Sequence, residues 1–242
     1  SRALRIQALY ALESWPQASK LDPIDGRYFP VPAGDMDALN EAIGPEIWAL
    51  ANDTDDKISR QAIAVLQRIN PDKAKLDQAA GFVLDEKQRS VVRKEWLRLL
   101  RKWDLTLFTS VGAQALTSKS AELRVVAAQE LTEAERGGAA VDNYLLATLK
   151  NSGDTVELQR AIKMIPRLTS RKYIIEQLVK DLIAGRIAPE IQLEVLETAT
   201  TISRDYPDLK TQVEHYNNYI KKQDIMTRYG VALKGGNVEK GN

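Results

Sequence analysis

A branched apolar residue, a small residue four positions on and another apolar residue four beyond that recur along this chain, often with a basic or polar residue just after the first. The copies are Leu4/Ala8/Leu12, Ile58/Ala62/Leu66, Val92/Trp96/Leu100, Leu123/Ala127/Leu131 and Ile191/Val195/Ala199, with a blurred one at Glu157/Ala161/Ile165. Their starts lie 54, 34, 31, 34 and 34 residues apart. A spacing of four puts each triplet on one helical face. A fixed period near 34 means that each helical pair is too small to bury its own apolar face and needs its neighbours. The pattern predicts an all-α fold, an α-α superhelix or solenoid of about six helical pairs.

The individual helices follow from the same spacing. Gly44 to Asp53 reads as the first helix of a pair, with Pro45 at the first helical position, where its missing N–H costs nothing. Ile58, Ala62, Val65, Leu66 and Ile69 line the second helix of that pair, and Asn70-Pro71 reads as a cap and first-turn proline opening the next. The alternation continues through 74–84, 87–100, 105–116, 121–131, 141–149, 156–168, 173–183 and 191–202. Asp154 with Glu157 has the form of a capping box, and Pro189 and Pro207 stand where helices should begin. No useful length alternates with period two, so little or no sheet is expected.

Two stretches interrupt the period. Residues 21–34 hold three prolines and two glycines, which forbids a continuous helix and marks an insertion packed over one edge of the stack. Pro207 to Tyr229 reads as a final long helix, and residues 230–242, glycine-rich and polar, as a flexible tail toward a following domain. The expected organisation is one helical repeat domain over 1–229 with that tail. Because Ser1 to Ile6 already reads as amphipathic helix and not as a signal peptide, an excised piece of a larger protein is expected.

Composition narrows the function classes. Hydrophobic residues at 44% and charged residues at 28% exclude wholesale disorder, and no apolar run approaches the roughly 20 residues of a membrane span. Thirty-four basic against thirty-three acidic residues give a formal charge of +1, without the concentrated basic stripe that nucleic-acid binding draws on. The absence of cysteine removes disulfides, thiolate metal sites and a cysteine nucleophile.

Asp53 to Ala62 and Glu122 to Ala128 resemble HEAT repeats, in which an aspartate-rich turn leads into an apolar, basic and alanine pattern on the second helix. The period is nearer the tetratricopeptide length, yet the Trp, Gly and Tyr landmarks of that repeat are missing, and Trp96 stands where a HEAT-like unit usually has a small residue. A wider resemblance covers nearly the whole chain. Leu9 to Trp15, then Asp22-Pro23 and Gly26-Arg27-Tyr28, resemble the helical linker of large planctomycete- and verrucomicrobium-type secreted proteins, and Gly235 to Gly241 resembles the lead-in to their cytochrome. Those proteins carry a dehydrogenase-like β-propeller upstream and a small c-type cytochrome, the haem-binding domain, downstream. The resemblance implies a periplasmic or secreted parent with dehydrogenase-like electron transfer, in which this fragment spaces its neighbours and holds no cofactor of its own.

Candidate chemistry is sparse. His215 is the one histidine, with Glu214 beside it and Asp208 and Lys222 about two turns either way, and it reads as a surface or packing residue more than a metal ligand. Asp53, Asp55 and Asp56 crowd one turn. They lack the glycine and terminal glutamate of an EF-hand loop, which favours helix capping. Trp15, Trp48, Trp96 and Trp103 read as core packing ahead of base-stacking platforms. The glycine pairs make no phosphate loop, and the basic bias of Lys221, Lys222, Arg228, Lys234 and Lys240 reads as a solvated face. Asp22, Asp25, Arg27, Tyr28 and Phe29 form the one non-repeating polar and aromatic cluster, read as a candidate partner contact against the alternative of a purely structural edge cap. No catalytic, cofactor-binding or metal residues are assigned.

The expected function is therefore a non-catalytic protein-interaction or domain-spacing scaffold. Its partners would be proteins or neighbouring domains of the same chain, with no nucleic acid, membrane span or small-molecule substrate. The alternative is a HEAT-like DNA glycosylase or other nucleic-acid-binding enzyme, which resembles the chain in size and helical content.

Overall fold

The structure, a computed structural model, describes residues 1–15, 19–21, 24–28, 32, 34–168 and 170–222 of the 242. Among these residues the regular structure is helical, and the one pairing of extended backbone is an isolated antiparallel bridge between Leu21 and Tyr28. The fold is all-α, as the period predicts. Contacts divide the chain into two compact units, Ser1–Glu130 and Leu131–Asn242.

The first unit holds α1 (Arg2–Ser14), α2 (Met36–Leu50), α3 (Asp56–Leu66), α4 (Lys73–Leu84), α5 (Ser90–Trp103), α6 (Leu105–Ala115) and most of α7 (Ala121–Glu133). Helices α1, α3 and α5 pack side by side, α4 packs beside α6, and α2 and α4 lie on α3 and α5. Aspartate starts most of them. The Asp35, Asp55, Asp72 and Asp104 carboxylates accept from free backbone N–H groups at the heads of α2, α3, α4 and α6.

The second unit continues with α8 (Gly138–Asn151), α9 (Thr155–Met164), α10 (Arg171–Ile183), α11 (Pro189–Ile202) and α12 (Pro207–Lys221), with single 3-10 turns at Ile165–Arg167 and Ser203–Asp205. Here α9 packs beside α11 and α10 beside α12, while α8 meets α9 and α10 meets α11. In both units the helix contacts fall between neighbours in the chain or between helices one apart, as in a helical-repeat superhelix.

The repeat register holds from α3 onward. Ile58, Ala62 and Leu66, then Val92, Trp96 and Leu100, Leu123, Ala127 and Leu131, and Ile191, Val195 and Ala199 are all buried. So is the blurred copy, because Glu157 occupies the place of an apolar residue and is only 2% exposed.

Four local expectations are corrected. In α1, Leu4 is 70% exposed and Ala8 is also exposed, while Ile6 and Leu9 are buried. This first helix packs against α3 through a different stripe and leaves Leu4 exposed. Pro45 lies inside α2, not at its start, because the Asp35 cap begins the helix nine residues earlier. Pro71 likewise precedes the cap of α4, which Asp72 supplies. The Asp154 carboxylate accepts from Val156 and Glu157 N–H groups, but Glu157 does not complete the box. Its side chain accepts from the Tyr144 and Ser152 hydroxyls at 3.0 and 2.9 Å.

Pro189 and Pro207 do open helices, and α12 runs Pro207–Lys221, with the rest of the expected long helix and tail outside the described residues.

Candidate functional site

Several charged side chains of the first unit are engaged with the neighbouring repeat. Arg89 reaches the Asp56 carboxylate and the Asp53 carbonyl. Ser90 and Lys94 donate to Glu122 at 3.1 and 2.8 Å, and Arg98 and Arg101 donate to Glu130 at 3.0 and 2.6 Å. Each bond joins residues 28 to 36 positions apart, about one repeat. In the second unit Gln159 donates to the Glu190 carbonyl at 2.9 Å and Arg171 to Asp205 at 3.2 Å, across 31 and 34 positions. Exposed pairs of this kind contribute little singly. In series they hold the register of one helix against the next.

The aspartate turn is spent the same way. Asp53 accepts from the Asp55 N–H at 2.8 Å, Asp55 caps α3 and meets Arg2, and Asp56 meets Arg89. The Arg2 guanidinium holds the Asp55 carboxyl down at about 2, helped by the N–H groups of Lys57 and Ile58. Three carboxylates thus face three different partners and converge on no common point. His215 is exposed on α12.

The insertion contributes a short loop. Leu21 pairs with Tyr28, Gly26 adopts φ +71°, and the Asp25 carboxylate accepts from the Arg27 N–H at 2.9 Å and pairs with its guanidinium at 3.3 Å. Described residues 19–21 and 24–28 are all exposed, with Ile24 at 94% and Tyr28 at 65%. Each of these described loop residues therefore keeps a solvent-exposed face. Of the five expected contact residues, Asp25, Arg27 and Tyr28 lie together on this loop, and Asp22 and Phe29 fall outside the described residues.

A concave site that the repeat pattern did not announce lies in the first unit between α2 and the start of α4. Trp48 is its aromatic wall. Its ring stacks on Trp96 with centroids 5.1 Å apart and on Trp103 at 5.9 Å, and Phe82 leans on Trp96 at 5.2 Å. Indole hydrogen bonds fix two of these rings: Trp96 donates to Asn52 Oδ1 at 3.3 Å and Trp103 to the Ile69 carbonyl at 2.9 Å. Trp48, Trp96 and Trp103 are thus packing residues, whereas Trp15 is 49% exposed. Beside Trp48 opens a cavity of about 240 Å³ with Asn40, Glu41, Asn70, Asp72 and Lys75 at its edge and Pro45 and Pro71 as rigid walls. The Lys75 ammonium lies 4.6 Å from the Trp48 ring centroid, within cation–π range.

This arrangement suits a cation or a stacked planar group. Glu41, Asp72 and Lys75 were not singled out in the sequence, since they meet Trp48 only through the packing of α2 beside the turn into α4. The two prolines were the one available signal. Among the described residues no group of three or more His, Cys, Asp or Glu is placed to hold a metal ion, and no helix is long and apolar enough to cross a membrane. Comparison of the chain with protein-family models, with curated proteins and with solved structures gives no match.

Proposed function

We propose that this chain is a non-catalytic helical-repeat scaffold of HEAT type that binds or spaces protein domains. The observation that carries the reading is the use of its polar side chains. Arg89, Arg98, Arg101 and Arg171, which could otherwise serve a reacting group, bridge to the next repeat, and the aspartates cap helices. A repeat stack braced in this way resists bending better than a glycine-serine tether, which supports a spacing role. The resemblance to the linker between a propeller and a c-type cytochrome supports a setting outside the cytoplasm.

The test uses the absence of native cysteine. Spin labels on Gln7→Cys with Lys119→Cys in the first unit, and on Asn143→Cys with Glu197→Cys in the second, should each give one narrow distance distribution. A broad distribution in either pair overturns the spacing role. Incubation with damaged duplex DNA should release no base and show no salt-dependent binding; base release would replace this reading with the glycosylase one.

A further inference from the structure

The cavity beside Trp48 combines features that a repeat brace does not need. Its aromatic wall is held rigid from behind by Trp96 and Trp103, so the ring is fixed before anything binds. Its rim offers acceptors. Glu41 and Asp72 supply carboxylates, both on exposed residues. Pro45 adds to this, because a proline has no N–H to give to the helical carbonyl four residues earlier, which is that of Glu41. The site is already half-used by a cation, since Lys75 places its ammonium over the indole and donates weakly to Gln78 at 3.3 Å. With Lys75 present the three charged groups sum to one negative charge; with it turned outward they sum to two.

We propose that this cavity receives an arginine or lysine side chain from a partner protein, and that Lys75 occupies the aromatic position until the partner's cation displaces it. A guanidinium fits both halves of the site, stacking its plane on Trp48 and donating to Glu41 and Asp72. The inference rests on the scaffold reading and names what that scaffold recognises: an exposed basic residue on the docked domain.

The experiment titrates the full chain with the capped tripeptide acetyl-Gly-Arg-Gly-amide and follows the Trp48 indole N–H by NMR. Saturable binding is expected, at least fivefold tighter in Lys75→Met, where the competing ammonium is gone. It should be at least fivefold weaker in Glu41→Gln and in Asp72→Ser, the latter keeping a helix cap while removing the charge. The citrulline analogue, equal in shape and neutral, should not saturate. Absence of saturation in both the native chain and Lys75→Met overturns the proposal, as does equal binding of arginine and citrulline peptides. The spin-label distances should be unchanged in Lys75→Met, so a failed titration leaves the scaffold reading intact, and broad distances refute that reading whatever the titration gives.

Discussion

Arg93 and Glu86 form a bidentate pair, with the two guanidinium nitrogens donating to the two carboxylate oxygens at 3.0 Å each. Arg93 is 2% exposed and spends its Nε on the Val83 carbonyl at 2.7 Å, so the arginine is sunk at the register position just after Val92. Ser118 adds a hydroxyl donor to Glu86 at 2.8 Å from one repeat further on. The pair ties the end of α4 to the body of α5.

A pH dependence follows from that pair. The Arg93 hydrogen bonds, then that of Ser118, hold the Glu86 carboxyl at about 2 against an ordinary 4.5. A carboxyl depressed by folding contributes stability that is fully present above its unfolded value and disappears as pH falls through its folded one. Glu86→Gln should therefore lower the urea midpoint at pH 7, and the gap to the native protein should shrink from pH 4.5 downward and close near pH 2. A gap independent of pH over that window would show that Glu86 is protonated as easily folded as unfolded.

Glu157 makes the opposite use of burial. It stands where Ile58, Val92 and Ile191 stand in their helices, yet accepts from Tyr144 and Ser152. Glu157→Leu restores the apolar repeat and should still destabilise, by about 1–3 kcal/mol, because a buried and a part-buried hydrogen bond are lost. Glu157→Gln, which keeps an acceptor oxygen, should cost less. Tyr144→Phe should cost less in the Glu157→Leu background than in the native chain, a non-additivity read from a double-mutant cycle of denaturant midpoints.

The places where the repeat was legible and where it was not share one physical cause. A solenoid gives each internal helix the same neighbours, so Ala62, Ala127 and Ala161 meet the same burial and the period can be read without a structure. Glu157 blurred it because hydropathy cannot register a carboxylate satisfied by hydroxyls. Pro45 misled because proline favours a first turn, and the stronger signal, the Asp35 cap, directly abuts the end of the irregular insertion. The Trp48 cavity was hidden because Trp48 and Lys75 sit on different helices and meet only after packing.

The register of α1 is a direct test of that cause. Leu9 is 2% exposed and Leu4 is 70% exposed, although Leu4 matches the repeat and Leu9 does not. Leu9→Ala should cost about 2–5 kcal/mol, the range for a buried leucine, and Leu4→Ala should stay within about 0.5 kcal/mol. Equal losses measured by thermal unfolding would put Leu4 in a packed interface.

A last prediction concerns the ends of α7 and α10, which close alike. After α10, Gly185 takes φ +68° and the Arg186 N–H donates back to the Asp181 carbonyl at 2.8 Å. After α7, Glu135 takes φ +56° and the Arg136 N–H donates back to the Leu131 carbonyl, also at 2.8 Å. Both are left-handed helix stops, in which glycine is unstrained and a residue with a Cβ is held at a cost of about 1–2 kcal/mol. Glycine also loses more chain entropy on folding, which offsets part of that gain. Glu135→Gly should thus stabilise the protein by about 0.5–1 kcal/mol, and Gly185→Ala should destabilise it by a similar amount. Both are read as shifts of the urea midpoint at constant slope. A loss of stability in Glu135→Gly would mean that the glutamate side chain contributes more at this stop than its backbone strain costs.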